Sequence, residues 1–145
     1  MKLILTLFIS MFFFGNIWEN DFNVAQQKAV ASKKYILLNF SGSDWCGPCI
    51  RMHKEIFEAN DFQKYASENL VLVRADFPRL KKNQLPAEQL KKNNDLALKY
   101  NPDGVFPLTL LLDEQGKIIK KWDGFPQANA QEFTAQIDKT QHAKN

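Results

Sequence analysis

Asn39-Phe40-Ser41-Gly42-Ser43-Asp44-Trp45-Cys46-Gly47-Pro48-Cys49 carries the chain from an apolar strand through a short polar loop into the start of a helix. The chain has no other cysteines. At a helix N-terminus the unpaired backbone N–H groups and the positive end of the macrodipole favour an anion. A thiol at Cys46 therefore loses its proton more readily than a free one. Cys49 lies one turn further on, close enough to close a disulfide onto Cys46. Pro48 fits inside the first turn, where its missing N–H has no partner to lose.

Two other readings compete with redox chemistry. A purely structural disulfide here closes a very small loop, worth about 2 kcal/mol against about 4.7 for a hundred-residue loop. Zinc is the other, because Cys46, Cys49 and His53 have ligand-like spacing. Its fourth ligand would have to be His142, in a polar tail. The Cys-x-x-Cys pattern favours redox, which needs no cofactor and no metal beyond the cysteine pair.

Outward from this stretch the composition is that of one domain, 45% hydrophobic and 12% aromatic over 145 residues. A formal net charge of +3 gives no reason to invoke nucleic acid or an acidic membrane. At the N-terminus Lys2 precedes an apolar run from Leu3 to Phe14, broken only by Thr6 and Ser10. One positive charge before such a run matches a secretory leader, and the run is shorter than the roughly 20 residues that span a bilayer. Residues 1–18 are accordingly expected to be a signal peptide or short anchor, and residues 19–145 the domain. Either way the cysteines would work outside the cytoplasm, where disulfides persist.

The rest of the chain divides by periodicity. Residues 21–34 read as a helix and 35–40 as a strand buried on both faces. The cysteine helix runs to about residue 58, and a short helix capped by Asn60 or Asp61 follows. Residues 70–75 make a second buried strand. A polar stretch from 76 to 86 leads into a helix at 87–100. The turn at Asn101-Pro102-Asp103-Gly104 precedes a strand at 108–112, a hairpin, a returning strand at 117–122 and a closing helix at 129–139. Strands joined through helices should run parallel, with the last two antiparallel. The fold class is α/β, a mixed central sheet flanked by helices on both faces.

Trp45-Cys46-Gly47-Pro48-Cys49 resembles the active-site motif of the thioredoxin superfamily, and Phe106-Pro107 before a strand resembles its cis-proline element. The lead-in from Phe40 to Trp45 is most similar to secreted thioredoxin-like proteins. The resemblance implies a thioredoxin fold and a thiol–disulfide oxidoreductase acting on exported proteins. It assigns Cys46 as the exposed nucleophile and Cys49 as the resolving thiol, with Gly47 and Pro48 shaping their turn. It gives Trp45, Phe106, Pro107 and Gly124 to substrate binding, with an extended segment laid against the proline strand-fashion. It implies a monomer working with a membrane thiol reductant as electron donor. A disulfide oxidase or isomerase, or a non-enzymatic binding or zinc-holding module, remain alternatives.

Two departures from the family stand out. Asn39 occupies the place of a buried aspartate, and an amide cannot take up a proton as a carboxylate does. His53, on the helical face of Cys49, offers a substitute base; Asp44 and Glu55 read as solvated. The connection from Asp76 to Lys92 is also a helix-length longer than in a minimal thioredoxin, and its basic residues either face solvent or dock a partner.

Overall fold

The computed structural model describes residues 17–143. The expected leader lies mostly outside them, in residues 1–16. Five strands form one sheet in the order β1-β3-β2-β4-β5. They are β1 (Trp18–Glu19), β2 (Tyr35–Ser41), β3 (Leu70–Asp76), β4 (Leu108–Leu112) and β5 (Ile118–Asp123). The helices are α1 (Phe22–Ser32), α2 (Gly47–Met52), α3 (Asn60–Asn69), α4 (Ala87–Tyr100) and α5 (Ala130–His142). Among the described residues no helix is long and apolar enough to cross a membrane.

The period-2 alternation of strands sorts the apolar residues into two layers. Leu37, Leu72, Leu111 and Trp122 meet Met52, Ile56 and Phe57, Phe62 of α3 and Phe133 and Ile137 of α5 on one face. Ile36, Leu38, Phe40, Val73, Leu108 and Leu110 meet Ala25 and Ala29 of α1 and Tyr100 of α4 on the other. β2 sits centrally with both faces covered, as its unbroken apolar run predicts. Each fully buried leucine or isoleucine contributes about 1.5–3 kcal/mol. Ala25 and Ala29 let α1 approach the sheet closely. Asp21 starts that helix by accepting from the Asn23 and Val24 amides at 2.9 and 3.2 Å, and Lys33 ends it at φ 54°.

Several local expectations need correcting. A two-residue strand precedes α1: Trp18 and Glu19 pair in parallel with Leu72 and Val73. Trp18 is buried and belongs to this strand, at the position expected to part leader from domain. The cysteine helix changes hydrogen-bonding pattern at His53, continuing to Phe57 as a π-helical turn. α3 is preceded by Ala59, which gives no side-chain cap; neither Asn60 nor Asp61 plays that part.

The largest correction concerns β4. It follows a helical connection yet runs antiparallel to β2, with Asn39 opposite Thr109. The Tyr100 hydroxyl at the end of α4 donates to Gly116 O in the β4–β5 hairpin. The chain must then return through residues 101–107 before β4 begins at the cysteine end, which reverses the strand. Asn101 braces this return, its Nδ2 donating to Val105 O and its Oδ1 accepting from the Val105 amide, both at 2.9 Å.

The sheet is narrow at both edges. β1 has two residues, and β5 carries Lys120 and Lys121 beside a register shift at Leu111–Leu112.

Candidate active site

Cys46 and Cys49 are joined in a disulfide, their Cα atoms 5.2 Å apart. Cys46 is the N-cap of α2, in extended conformation, and its sulfur accepts from the Cys49 amide at 3.3 Å. The Gly42 amide points at Cys49 Sγ from 3.5 Å. Each sulfur therefore has a backbone N–H directed at it, and in the reduced state such donors favour thiolate over thiol. Gly42 also anchors the loop through its carbonyl, which accepts from the Cys46 amide at 2.9 Å and the Trp45 amide at 3.3 Å.

Cys46 is less accessible than expected. Only 5% of its surface is exposed, against 3% for Cys49. Its main chain is held on both sides, by Gly42 and by the Ile50 amide on its carbonyl, and its sulfur folds back over the first helical turn.

The Phe106–Pro107 peptide is cis. The Phe106 ring lies edge-on to Trp45 at 5.5 Å and to Phe77 at 5.6 Å, forming an aromatic wall beside the cysteines. The Trp45 indole is fixed by donation to Phe77 O at 2.7 Å. Its ring lies so close to Gly42 that a Cβ there would fall 2.3 Å from Trp45 Cε2, so only glycine fits. Gly124 donates to Pro107 O at 2.8 Å and has φ 76°, with open space where a side chain would project.

Beneath α2 the sheet presents a polar row. Asn39 is buried, its Nδ2 donating to Thr109 Oγ1 at 3.1 Å and contacting Leu108 O at 3.5 Å. The Thr109 hydroxyl in turn lies 3.8 Å from Met52 Sδ. Arg74 pairs with Asn39 across the parallel ladder, and its guanidinium stacks 4.4 Å from the Trp18 ring centre.

His53 is engaged on both ring nitrogens. Arg74 Nη2 lies 2.9 Å from Nδ1, and Glu58 Oε1 lies 3.1 Å from Nε2. A guanidinium only donates, so Nδ1 accepts and the neutral ring carries its proton on Nε2, facing Glu58. Burial, followed by the Arg74 charge, pushes the imidazole below its ordinary value of 6.5, against an opposing pull from Glu58. This removes His53 as a free base for Cys49. It also makes stability pH-dependent. The unfolded chain takes up the proton first, so stability is full above about 6.5 and falls as pH drops through that value toward the folded pKa. Thermal unfolding between pH 8 and 5 should show a declining Tm on the acid side, and His53→Gln should flatten that decline. An unchanged slope in the variant would assign it to other groups.

Asp44 is far from idle. Its carboxylate accepts from the Arg79 amide at 2.9 Å, the Leu80 amide at 3.0 Å and Asn83 Nδ2 at 2.9 Å. These bonds, Arg79's foremost, hold its pKa below the ordinary carboxylate value. Glu55 pairs on the surface with Arg51. The zinc reading finds no support in the geometry: His53 faces Arg74, and His142 Nδ1 bonds Asp138 O on α5. Among the described residues no cluster of three His, Cys, Asp or Glu could hold a metal.

Sequence reasoning did not single out Gly42, Phe77, Arg79, Arg74 or Thr109 for the site. Gly42 left a trace, as a glycine in a tight loop before an aromatic. The others depend on contacts between distant segments.

Comparison with known proteins fits this geometry. A thioredoxin-like domain family matches residues 22–141. The chain is 33% identical over 120 residues to the disulfide bond reductase DsbH of Chlamydia pneumoniae, covering 83% of this chain and 69% of that protein. It is 35% identical over 110 residues to the thioredoxin-related protein DsbJ of the same organism, covering 75% of this chain and 30% of the other. A solved DsbH oxidoreductase structure superposes with a TM-score of 0.76 at 32% identity, covering 85% and 82% of the two chains. With a disulfide closed across Cys-Gly-Pro-Cys at a helix start, the chain belongs to the thioredoxin-like family and is a protein thiol–disulfide oxidoreductase whose redox group is its own cysteine pair.

Proposed function

We propose that this oxidoreductase runs as a reductase of disulfides in exported proteins. The reading rests on the likeness to the disulfide bond reductase DsbH, and the sulfur of Cys46 at the N-cap, with the Cys49 amide 3.3 Å away, supplies its nucleophile. In the reduced protein, Cys46 thiolate attacks one sulfur of a substrate disulfide. A Cys46–substrate bond forms, and the other substrate sulfur leaves as thiolate and takes a proton. Cys49, deprotonated, then attacks Cys46 Sγ; the second substrate thiol departs and the Cys46–Cys49 bond closes. Two electrons pass to the substrate, leaving the oxidised state described above. A membrane thiol reductant would return them.

Trp45, Phe106, Pro107 and Gly124 would receive the substrate segment, and the small exposure of Cys46 favours an extended, narrow strand over a folded surface. Gly47 and Pro48 would hold the turn, and Asn39 would support the helix from below through Thr109. With an amide at Asn39, the proton that Cys49 loses before the resolving attack would pass to water. The apolar run from Leu3 to Phe14 supports export to the periplasm or another extracytoplasmic space, with cleavage or anchoring ahead of Trp18. The protein would act as a monomer.

The decisive measurement is the reduction potential of the pair in glutathione buffers, read by thiol trapping. Reducing thioredoxins sit near about −270 mV and strong oxidants near about −120 mV, a gap of about 7 kcal/mol for two electrons. A value below roughly −220 mV is expected. One between about −180 and −120 mV would reverse the direction to oxidase or isomerase.

A further inference from the structure

The longer connection after β3 is latched onto the cysteine loop, and among the described residues its cations have no carboxylate partner. Ser43 donates to Asp76 through its amide at 2.9 Å and its hydroxyl at 2.5 Å. The Phe77 amide donates to Ser41 O at 2.8 Å. Asp44 then gathers Arg79, Leu80 and Asn83, drawing the short 3-10 turn Lys81–Asn83 against the residue next to Trp45. The Arg79 guanidinium lies 3.6 Å from the Trp45 ring centre, extending the aromatic wall formed with Phe106. Arg79, Lys81 and Lys82 are all exposed. Among the described residues no carboxylate lies within ion-pair distance of any of them, whereas Lys91 and Lys92 further along pair with Asp95, Asp21 and Glu88. Asp44 and Asp76, the carboxylates that hold this connection, accept hydrogen bonds from the loops they join.

We infer that this latched loop is a specificity element, in which Arg79, Lys81 and Lys82 select protein substrates carrying acidic residues beside the disulfide. The inference rests on the reductase reading and names its substrate class. A guanidinium stacked on the wall of the groove is already positioned, so less side-chain entropy is lost when a carboxylate docks. Opposite charges at such a rim raise encounter rate and discriminate among partners more than they add raw affinity. Asp44 acts as a positioning residue, placing the cations without touching substrate.

The test uses three peptides with one intramolecular disulfide, flanked on both sides by Glu, Gln or Lys, reduced by the full domain at low ionic strength. The Glu-flanked peptide should show kcat/KM about tenfold above the Lys-flanked one, a ratio within reach of three exposed pairs. The ratio should collapse in 0.5 M salt, used as a screen of about 4 Å or less. The variant R79Q/K81Q/K82Q should bring the ratio to about one, the ratio being taken within the variant so that any change in overall rate from losing the Arg79–Trp45 stack cancels. Asp44→Ala, which frees the loop yet keeps every cation, should also reduce the preference. Equal rates for the three peptides in the wild type would overturn the inference while leaving the reductase reading intact. A preference untouched by Asp44→Ala would overturn it too, by assigning the effect to the overall field. Binding to anionic phosphatidylglycerol vesicles with no peptide preference would give the cations to a membrane surface instead. Failure to reduce any peptide would remove the reductase reading and this inference with it.

Discussion

Cys46→Ser abolishes turnover of a disulfide substrate while the domain stays folded: that is the expected result of the most severe single change. A serine hydroxyl is un-ionised at neutral pH and does not attack sulfur, so the first bond-forming step is lost outright. The lost cross-link closes a loop of only a few residues and contributes about 2 kcal/mol, less than the stability of an ordinary domain. Cys49→Ser fails differently. The first attack still occurs, nothing resolves it, and a Cys46–substrate adduct accumulates. Mass spectrometry under non-reducing conditions reads both outcomes. Measurable turnover in Cys46→Ser would remove the nucleophile assignment, and an adduct on Cys49 in that variant would exchange the two roles.

The second large effect is on stability. Phe133 of α5 is fully buried, its ring 5.0 Å from Trp122 and 6.4 Å from both Phe57 and Phe62. It thus links the last strand, the end of the cysteine helix and α3. Truncation to alanine leaves a cavity among rings that cannot all move into it, at a cost of about 3–5 kcal/mol. For a domain of this size that lowers Tm by roughly 10–20 °C. Leu98→Ala, at a position 77% exposed, should stay within about 0.5 kcal/mol of the parent and serves as the control. A Phe133→Ala shift as small as the control's would mean that this layer does not unfold with the rest.

The sequence was most readable where structure is local. The helix at 87–100 has the bounds its pattern predicts, and Asn101-Pro102-Asp103-Gly104 ends it as such a cluster should. The hairpin at 113–117 is tied by Asp113, which accepts from the Gln115 and Lys117 amides. The cysteine pair was legible because Cys-Gly-Pro-Cys concentrates its chemistry in four residues. β1 was hidden by its length: two residues give no period to detect, and they follow an apolar run with its own explanation. The reversal of β4 was hidden because a helical connection usually returns a strand parallel, and the return through residues 101–107 is set by tertiary contacts. Asp44 looked solvated for the same reason. Its partners lie 35 to 39 residues away, and no local pattern announces them.

An enzyme that handles proteins with broken or misplaced cross-links works among unfolded chains, and unfolded chains seek open backbone to pair with. The two margins of this sheet give them little purchase. One is a strand of two residues; the other is interrupted by a bulge and carries Lys120 and Lys121. Short edges, bulges and lysines are the devices by which β proteins resist edge-to-edge aggregation. On the proposed reading, the backbone beside Pro107 would be where a client strand adds, next to the disulfide.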